Sequence, residues 1–218
     1  MCGQNLSEGF VKCSTAQGEA GGYFGPELGL AEKLNEMYPD ETFFIIKCAW
    51  GGSNLYKQWR SPSAKGRAGK EYKSFVAFVQ SSIDYLISKN YDVKIEGMCW
   101  MQGESDSMEL ETAEDYAENL ENFIEDIRME FSRYADSEGI AFVDAYIAEN
   151  PSCWVNYDVV NKCKQQVADL SEMNCAFKTS ELTCMGEPKD SPDVAHYDSL
   201  SEIKLGQLFA QNLAAYLD

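Results

Sequence analysis

The chain has 218 residues, with 18 Lys and Arg against 36 Asp and Glu and a net charge of −18. That length suits one domain over 1–218, large enough to bury about 70% of its unfolded surface without staples. A composition of 44% hydrophobic and 25% charged residues excludes disorder and fibrous repeats, and the acidic balance excludes nucleic acid and anionic membranes, whose phosphates repel it.

Residues 1–21 are polar and Gly-rich and read as irregular. Pro26 and Glu27 then suit the start of a helix: proline fits the first helical position and glutamate the positive end of the dipole. Leu28, Leu30, Ala31, Leu34 and Met37 form its apolar stripe, and Pro39-Asp40 ends it. The run from Thr42 to Trp50 is apolar and rich in β-formers, and predicts a buried parallel strand broken by Gly51-Gly52-Ser53-Asn54. A polar loop over 55–69 leads to a helix over 70–89. Val93 to Met101 predicts the next strand, closed by Gln102-Gly103-Glu104-Ser105-Asp106. Further elements follow: a long acidic helix over 113–135, a strand over 140–145, a helix over 155–170, a short strand over 175–177, and a helix over 199–217.

Strands alternating with helices imply right-handed β-α-β units and a parallel sheet with helices on both faces. Ligands in such sheets bind beyond the carboxyl ends of the strands. The turns at Gly51-Gly52 and Gln102-Gly103-Glu104 are predicted to stand there.

The eight cysteines are widely spaced and contain no C-x-x-C, which argues against a zinc ribbon or a redox dithiol and for reduced structural thiols. Asn5-Leu6-Ser7 is a formal glycosylation sequon. No apolar stretch approaches the ~20 residues of a membrane span and no signal-peptide core is present, so secreted and cytoplasmic locations both fit.

His196 is the single histidine and lies in Asp193-Val194-Ala195-His196, before the last helix. Histidine is the side chain best suited to pass a proton near neutral pH. An Asp three residues earlier can fold back and accept from the other ring nitrogen, as the acid of a catalytic triad does. A solvated loop histidine accounts for the same spacing. Glycine at 51 and 52 lets a ligand approach backbone N–H groups closely, so an N–H there can meet a developing oxyanion. The Gln102 amide can donate a second such bond, and Glu104 can orient a histidine or bind sugar hydroxyls. Taken singly, each segment is also an ordinary polar turn.

Taken together and in order, Ala49-Trp50-Gly51-Gly52-Ser53, Trp100-Met101-Gln102-Gly103-Glu104-Ser105-Asp106 and Asp193-Val194-Ala195-His196 resemble the second, third and fifth blocks of the SGNH (GDSL-like) hydrolases. More narrowly they resemble the sialate O-acetylesterase-like branch that includes carbohydrate esterase family 6, and Phe24-Gly25-Pro26-Glu27 resembles the segment before its second block. The likeness runs from about Gly22 to Leu213. It implies a flavodoxin-like three-layer α/β/α sandwich that removes acetyl esters from a carbohydrate, without metal or cofactor. By that resemblance His196 is general base and then acid. Asp193 orients it, with Glu104 a rival for the role, and the Gly52 N–H and Gln102 side chain line the oxyanion hole. The substrate partner is an acetylated carbohydrate.

The first block of that family is Gly-Gln-Ser-Asn, after the first strand, and its serine is the nucleophile. This sequence has Met1-Cys2-Gly3-Gln4-Asn5 instead. The chain is therefore expected to be truncated relative to the family, with that strand absent and the nucleophile unassigned. Ser7, Ser14, Ser53, Ser105, Cys2 and Cys13 are the nearest hydroxyls and thiols. Two other readings compete. One is a non-catalytic carbohydrate-binding relic that presents Trp50, Tyr56, Trp59 and Trp100 to sugars. The other is a flavin or nucleotide binder on the same fold, against which stands the lack of a Gly-rich phosphate loop after a strand.

Overall fold

The computed structural model describes residues 9–18 and 22–217. The Met1–Asn5 motif, the sequon, Cys2 and Ser7 lie outside them. The chain divides into two compact units, residues 1–51 with 179–215 and residues 52–178 with 216–218.

The larger unit is built on three parallel strands in the order β1 (Gly97–Trp100), β2 (Ala141–Ala145), β3 (Asn174–Phe177). Gly97 pairs with Ala141 and Phe142 with Asn174, so β2 is central, and all five of its residues are buried. Four helices belong to this unit: α2 (Lys70–Ser88), α3 (Leu110–Glu114), α4 (Tyr116–Glu130) and α5 (Tyr157–Ala168). Along α4, Tyr116, Leu120, Phe123, Ile124 and Ile127 recur at three- and four-residue intervals and are buried, as an amphipathic helix on a core requires. An aromatic cluster fills that core. Trp100 lies 4.7 Å from Phe123 and 5.4 Å from Trp59, ring centre to ring centre, with Phe75 and Phe142 beyond. Arg128, near the end of α4, ties the starts of β2 and β3: its guanidinium donates to Ile140 O (3.0 Å), Met173 O (2.9 Å) and Asn174 Oδ1 (2.7 Å).

The smaller unit packs α1 (Glu27–Met37) on α6 (Ser199–Leu213). Two glycines set their separation. A Cβ on Gly29 would meet Ile203 O at 2.0 Å, and one on Gly206 would meet Pro26 O at 2.0 Å. The helices thus approach backbone to backbone, which only glycine permits here.

Most elements stand within a few residues of their predicted positions, with two differences. The acidic helix expected over 113–135 is divided at Asp115 and ends at Glu130. Phe131 leaves helical geometry there and buries its ring against Phe75, 6.4 Å away. The apolar run over 42–50 carries no regular strand. Strand propensity reports fit to a pleated, half-buried surface, and a strand exists only where a ladder forms. The ladder among the described residues is made by β1, β2 and β3, so Gln102-Gly103-Glu104 follows a strand end while Gly51-Gly52 ends an irregular segment.

Candidate active site

The Asp193–His196 segment is held as the tip of a strapped hairpin in the smaller unit. Met185 N donates to His196 O and Gly186 N to Asp193 O, both at 2.8 Å, while Asp198 N donates to Thr183 O at 3.0 Å. Cys184 and Tyr197 form an isolated antiparallel bridge. Asp198 then caps α6. Its Oδ1 accepts from Ser201 N (2.8 Å) and its Oδ2 from Thr183 Oγ1 (2.6 Å), an N-cap that also fastens the hairpin to the helix.

Within this frame Asp193 uses both oxygens. Oδ1 accepts from the backbone N–H of Ala195 (2.9 Å) and His196 (3.0 Å), and Oδ2 lies 2.8 Å from His196 Nδ1. Those N–H bonds, the His196 N–H first, hold the Asp193 carboxyl below the usual carboxylate range. An ionised carboxylate can only accept, so Nδ1 carries the proton and Nε2 presents its lone pair. The His196 side chain is 76% exposed, so that lone pair is accessible. The i, i+3 spacing predicted from sequence is realised as a hydrogen bond.

In the larger unit the other predicted residues stand on two turns that are cross-braced. Gln102 Nε2 donates to Ser53 O (3.2 Å) and to Asp106 Oδ2 (2.6 Å). Asp106 also accepts from Leu55 N (2.9 Å) and Tyr56 N (3.0 Å). One buried carboxylate therefore fixes the backbone after Gly52 to the turn after β1. Burial pushes the Asp106 carboxyl up, opposed by those three hydrogen bonds and by the Lys164 charge. Tyr116 Oη donates to Gln102 O at 2.8 Å. Gly103 has φ +139°, and a Cβ there would meet Val160 Cγ1 at 2.6 Å, so this corner of the turn admits only glycine. Gly52 has φ +68° with nothing within 4 Å of a Cβ position, so its backbone is open to a ligand. Glu104 is half-buried on the same turn as Gln102; burial first pushes Asp144 and Tyr116 up, and the Glu104 charge adds to it.

Asp106 carries more of this geometry than its sequence context announced. Its partners at 55 and 56 are some fifty residues away, and the only local signal was an acid four residues after Gln102. Asp106→Asn preserves shape but replaces one of the two accepting oxygens by an NH2 group, which then faces Tyr56 N, or Leu55 N and Gln102 Nε2, donor to donor. A loss of about 2–3 kcal/mol is expected, read as a lower urea midpoint at unchanged slope.

Among the nucleophile candidates, Ser14 Oγ donates to Thr15 O (3.2 Å) and Ser53 Oγ is buried, accepting from Trp59 Nε1 (2.7 Å). Burial and the Glu27 charge push the Cys13 thiol up, and burial takes Cys99 to about 12, the reverse of an activated thiolate. Trp59 and Trp100 are core residues, and Tyr56 lies under Arg60, 4.7 Å from its guanidinium carbon. No group of His, Cys, Asp and Glu among the described residues is arranged to hold a metal ion, and none of the described helices is long and apolar enough to cross a membrane.

The chain is similar to known proteins in sequence and in fold. The "probable carbohydrate esterase At4g34215" of Arabidopsis thaliana is 23% identical over 198 residues, which cover 88% of this chain and 63% of that protein. This chain thus spans less than two thirds of the length of that relative. The X-ray structure of At4g34215 superposes with a TM-score of 0.70 at 18% identity, covering 94% of this chain and 73% of the other. The crystal structure of NanS superposes with a TM-score of 0.70 at 16% identity, covering 90% and 72%. Both share the α/β fold with its open parallel sheet. Residues 11–215 match the family model described as carbohydrate esterase, sialic acid-specific acetylesterase, and the chain belongs to that family.

Proposed function

We propose that the chain is a carbohydrate O-acetylesterase domain in which His196 is the general base and acid and Asp193 its orienting carboxylate. The observation that carries this reading is the Asp193 Oδ2–His196 Nδ1 bond of 2.8 Å, set in a hairpin strapped at both ends, with Nε2 facing solvent. His196 Nε2 accepts the proton of an attacking hydroxyl as that oxygen bonds to the acetyl carbon. By the family resemblance, the role of meeting the tetrahedral oxyanion falls to the Gly52 N–H. Gln102 is its second donor when its longer bond, to Ser53 O, turns to the oxyanion. His196 then protonates the departing sugar oxygen. In the second half-reaction it deprotonates the water that releases acetate. Asp193, already bonded to Nδ1, supports the imidazolium formed in each half.

The net charge of −18 disfavours anionic sugars through the protein's field, so neutral acetylated glycans are the preferred substrates. Acetylated xylan should be turned over faster than O-acetylated sialic acid, and the gap should narrow as salt is raised. Treatment with a serine-reactive fluorophosphonate, followed by mass spectrometry, names the nucleophile. One adduct that vanishes in His196→Ala is expected. No adduct on a folded chain would overturn the esterase reading of this polypeptide and favour the carbohydrate-binding one, although burial of Trp59 and Trp100 removes two of the aromatic faces that reading needs.

A further inference from the structure

The charge of this chain is unevenly spread. Residues 56–70 carry five cations, Lys57, Arg60, Lys65, Arg67 and Lys70, and no acid, within a chain of net charge −18. The fold gathers them further. Gly69 N donates to Arg60 O (2.8 Å) and Glu71 N to Gln58 O (3.0 Å), so the limb that follows Gly66 doubles back along residues 57–60. A Cβ on Gly69 would run into Gln58 O, which shows how closely the two limbs lie. Like charges drawn together cost free energy unless a counter-charge answers them. Two are answered here: Lys65 pairs with Glu118 and Lys70 with Glu71, both at 3.1 Å. Lys57, Arg60 and Arg67 have no acidic partner among the described residues.

Arg60 is the one of these three that is built in. Its guanidinium lies over the Tyr56 ring, 4.7 Å from the ring centre. Its Nη1 stands so close to Gly66, whose φ is +109°, that a Cβ there would run into it. Its Nε is buried with no hydrogen-bond partner, and neither Nη bonds to a described residue. The ring on one side and the Gly66 backbone on the other fix the plane of the fork, so little rotamer freedom is left to lose on binding. The place of the stack is set as well. Tyr56 N donates to Asp106 Oδ1 (3.0 Å), and Asp106 Oδ2 accepts from Gln102 Nε2 (2.6 Å). One carboxylate thus ties the Tyr56–Arg60 stack to the turn of the candidate oxyanion donor.

We propose that Arg60 is a specificity-determining residue that takes, through its two Nη groups, the carboxylate of a uronic acid carried on an otherwise neutral acetylated glycan. A planar guanidinium fork matches a carboxylate by two parallel hydrogen bonds. Lys57 and Arg67, the sequence neighbours of Tyr56 and Gly66, add attraction at short range. The field of the whole chain repels a polyanion, but it is screened beyond about 8 Å at physiological salt. A single carboxylate at contact meets the local cations instead. That the anion belongs to a sugar rests on the carbohydrate reading proposed above, whereas the anion site itself does not.

The buried Nε–H of Arg60 is a built-in reporter. In the full chain labelled with ¹⁵N-arginine it is assigned by its absence from Arg60→Gln and Arg60→Lys. Titration with methyl glucuronide should shift it along a saturating curve. Methyl glucoside, the neutral counterpart, should bind more weakly by about tenfold or more, the worth of a hydrogen bond to a charged group. Arg60→Lys keeps the charge but loses the fork, and should weaken the glucuronide while leaving the glucoside unchanged. Where a variant folds poorly, the ratio of the two sugars on the wild-type chain decides. Equal Kd values for glucuronide and glucoside, or no saturable shift with the glucuronide, overturn the proposal. Tighter binding of inorganic phosphate or of N-acetylneuraminate than of the glucuronide overturns it too, the first in favour of a phosphate site and the second of a sialate one. None of these readouts needs a nucleophile. Failure of the fluorophosphonate labelling would therefore sink the esterase reading separately and leave the binding result standing.

Discussion

Lys164→Met is expected to destabilise the fold by about 3–5 kcal/mol at pH 8. Lys164 and Asp144 form a buried ion pair, with Nζ 2.5 Å from Oδ1 and side-chain exposures of 0% and 3%. Asp144 Oδ2 has no hydrogen-bond partner among the described residues, so removing the lysine leaves a carboxyl with neither oxygen satisfied. Burial already pushes Asp144 up to about 7, opposed chiefly by Lys164, and deleting the lysine raises it further. A raised carboxyl means that the folded state binds the proton more tightly than the unfolded state. The associated stability is complete below the ordinary carboxylate range and is lost as pH rises through the folded value. The defect in Lys164→Met should therefore be larger at pH 8 than at pH 5. Lys164→Met combined with Asp144→Val should recover at least half of it, because a pair replaced by apolar groups leaves no orphaned charge. Chemical denaturation at the two pH values measures both. A loss under 1 kcal/mol at pH 8 would show that the pair contributes little.

Gly206→Ala should cost about 3 kcal/mol or more, at the upper end of overpacking effects. The new methyl group would lie 2.0 Å from Pro26 O and 2.5 Å from Leu30 N. Backbone atoms cannot rotate aside as a flexible side chain does, so α1 and α6 must separate and loosen the buried Leu30, Leu34, Leu205 and Phe209. For a chain of this size the expected fall in Tm is about 6–12 °C. Gly29→Ala forces the same separation through Ile203 O. The double variant should then cost clearly less than the sum of the singles, since neighbouring sites that share one displacement are not additive. Additive losses would mean that the crossing does not move as a unit.

The parts of this molecule that were readable in sequence are those whose cause is local. The apolar stripes of α1, α4 and α6 recur at helical spacing, and the Asp193–His196 bond joins residues three apart. The parts that were hidden depend on partners far along the chain. Asp106 looks like one acid among many until Leu55 and Tyr56 are brought to it. Lys164 reads as a surface lysine of an amphipathic helix until β2 presents Asp144. Gly29 and Gly206 look like weak points in helices, although each is required by the other helix. The run over 42–50 misled for the opposite reason: its composition favours a strand, yet pairing is a property of neighbours and not of the run itself.

The grip of Asp106 on the turn after Gly52 is made to main-chain N–H groups at 55 and 56 and not to side chains. An anchor of this kind is indifferent to what the anchored residue carries. Tyr56 is only half-buried and packs against Arg60. Its side chain can change while the N–H that bonds Asp106 stays where it is. The turn beside the candidate oxyanion donor is thus free to vary its side chains without shifting its backbone.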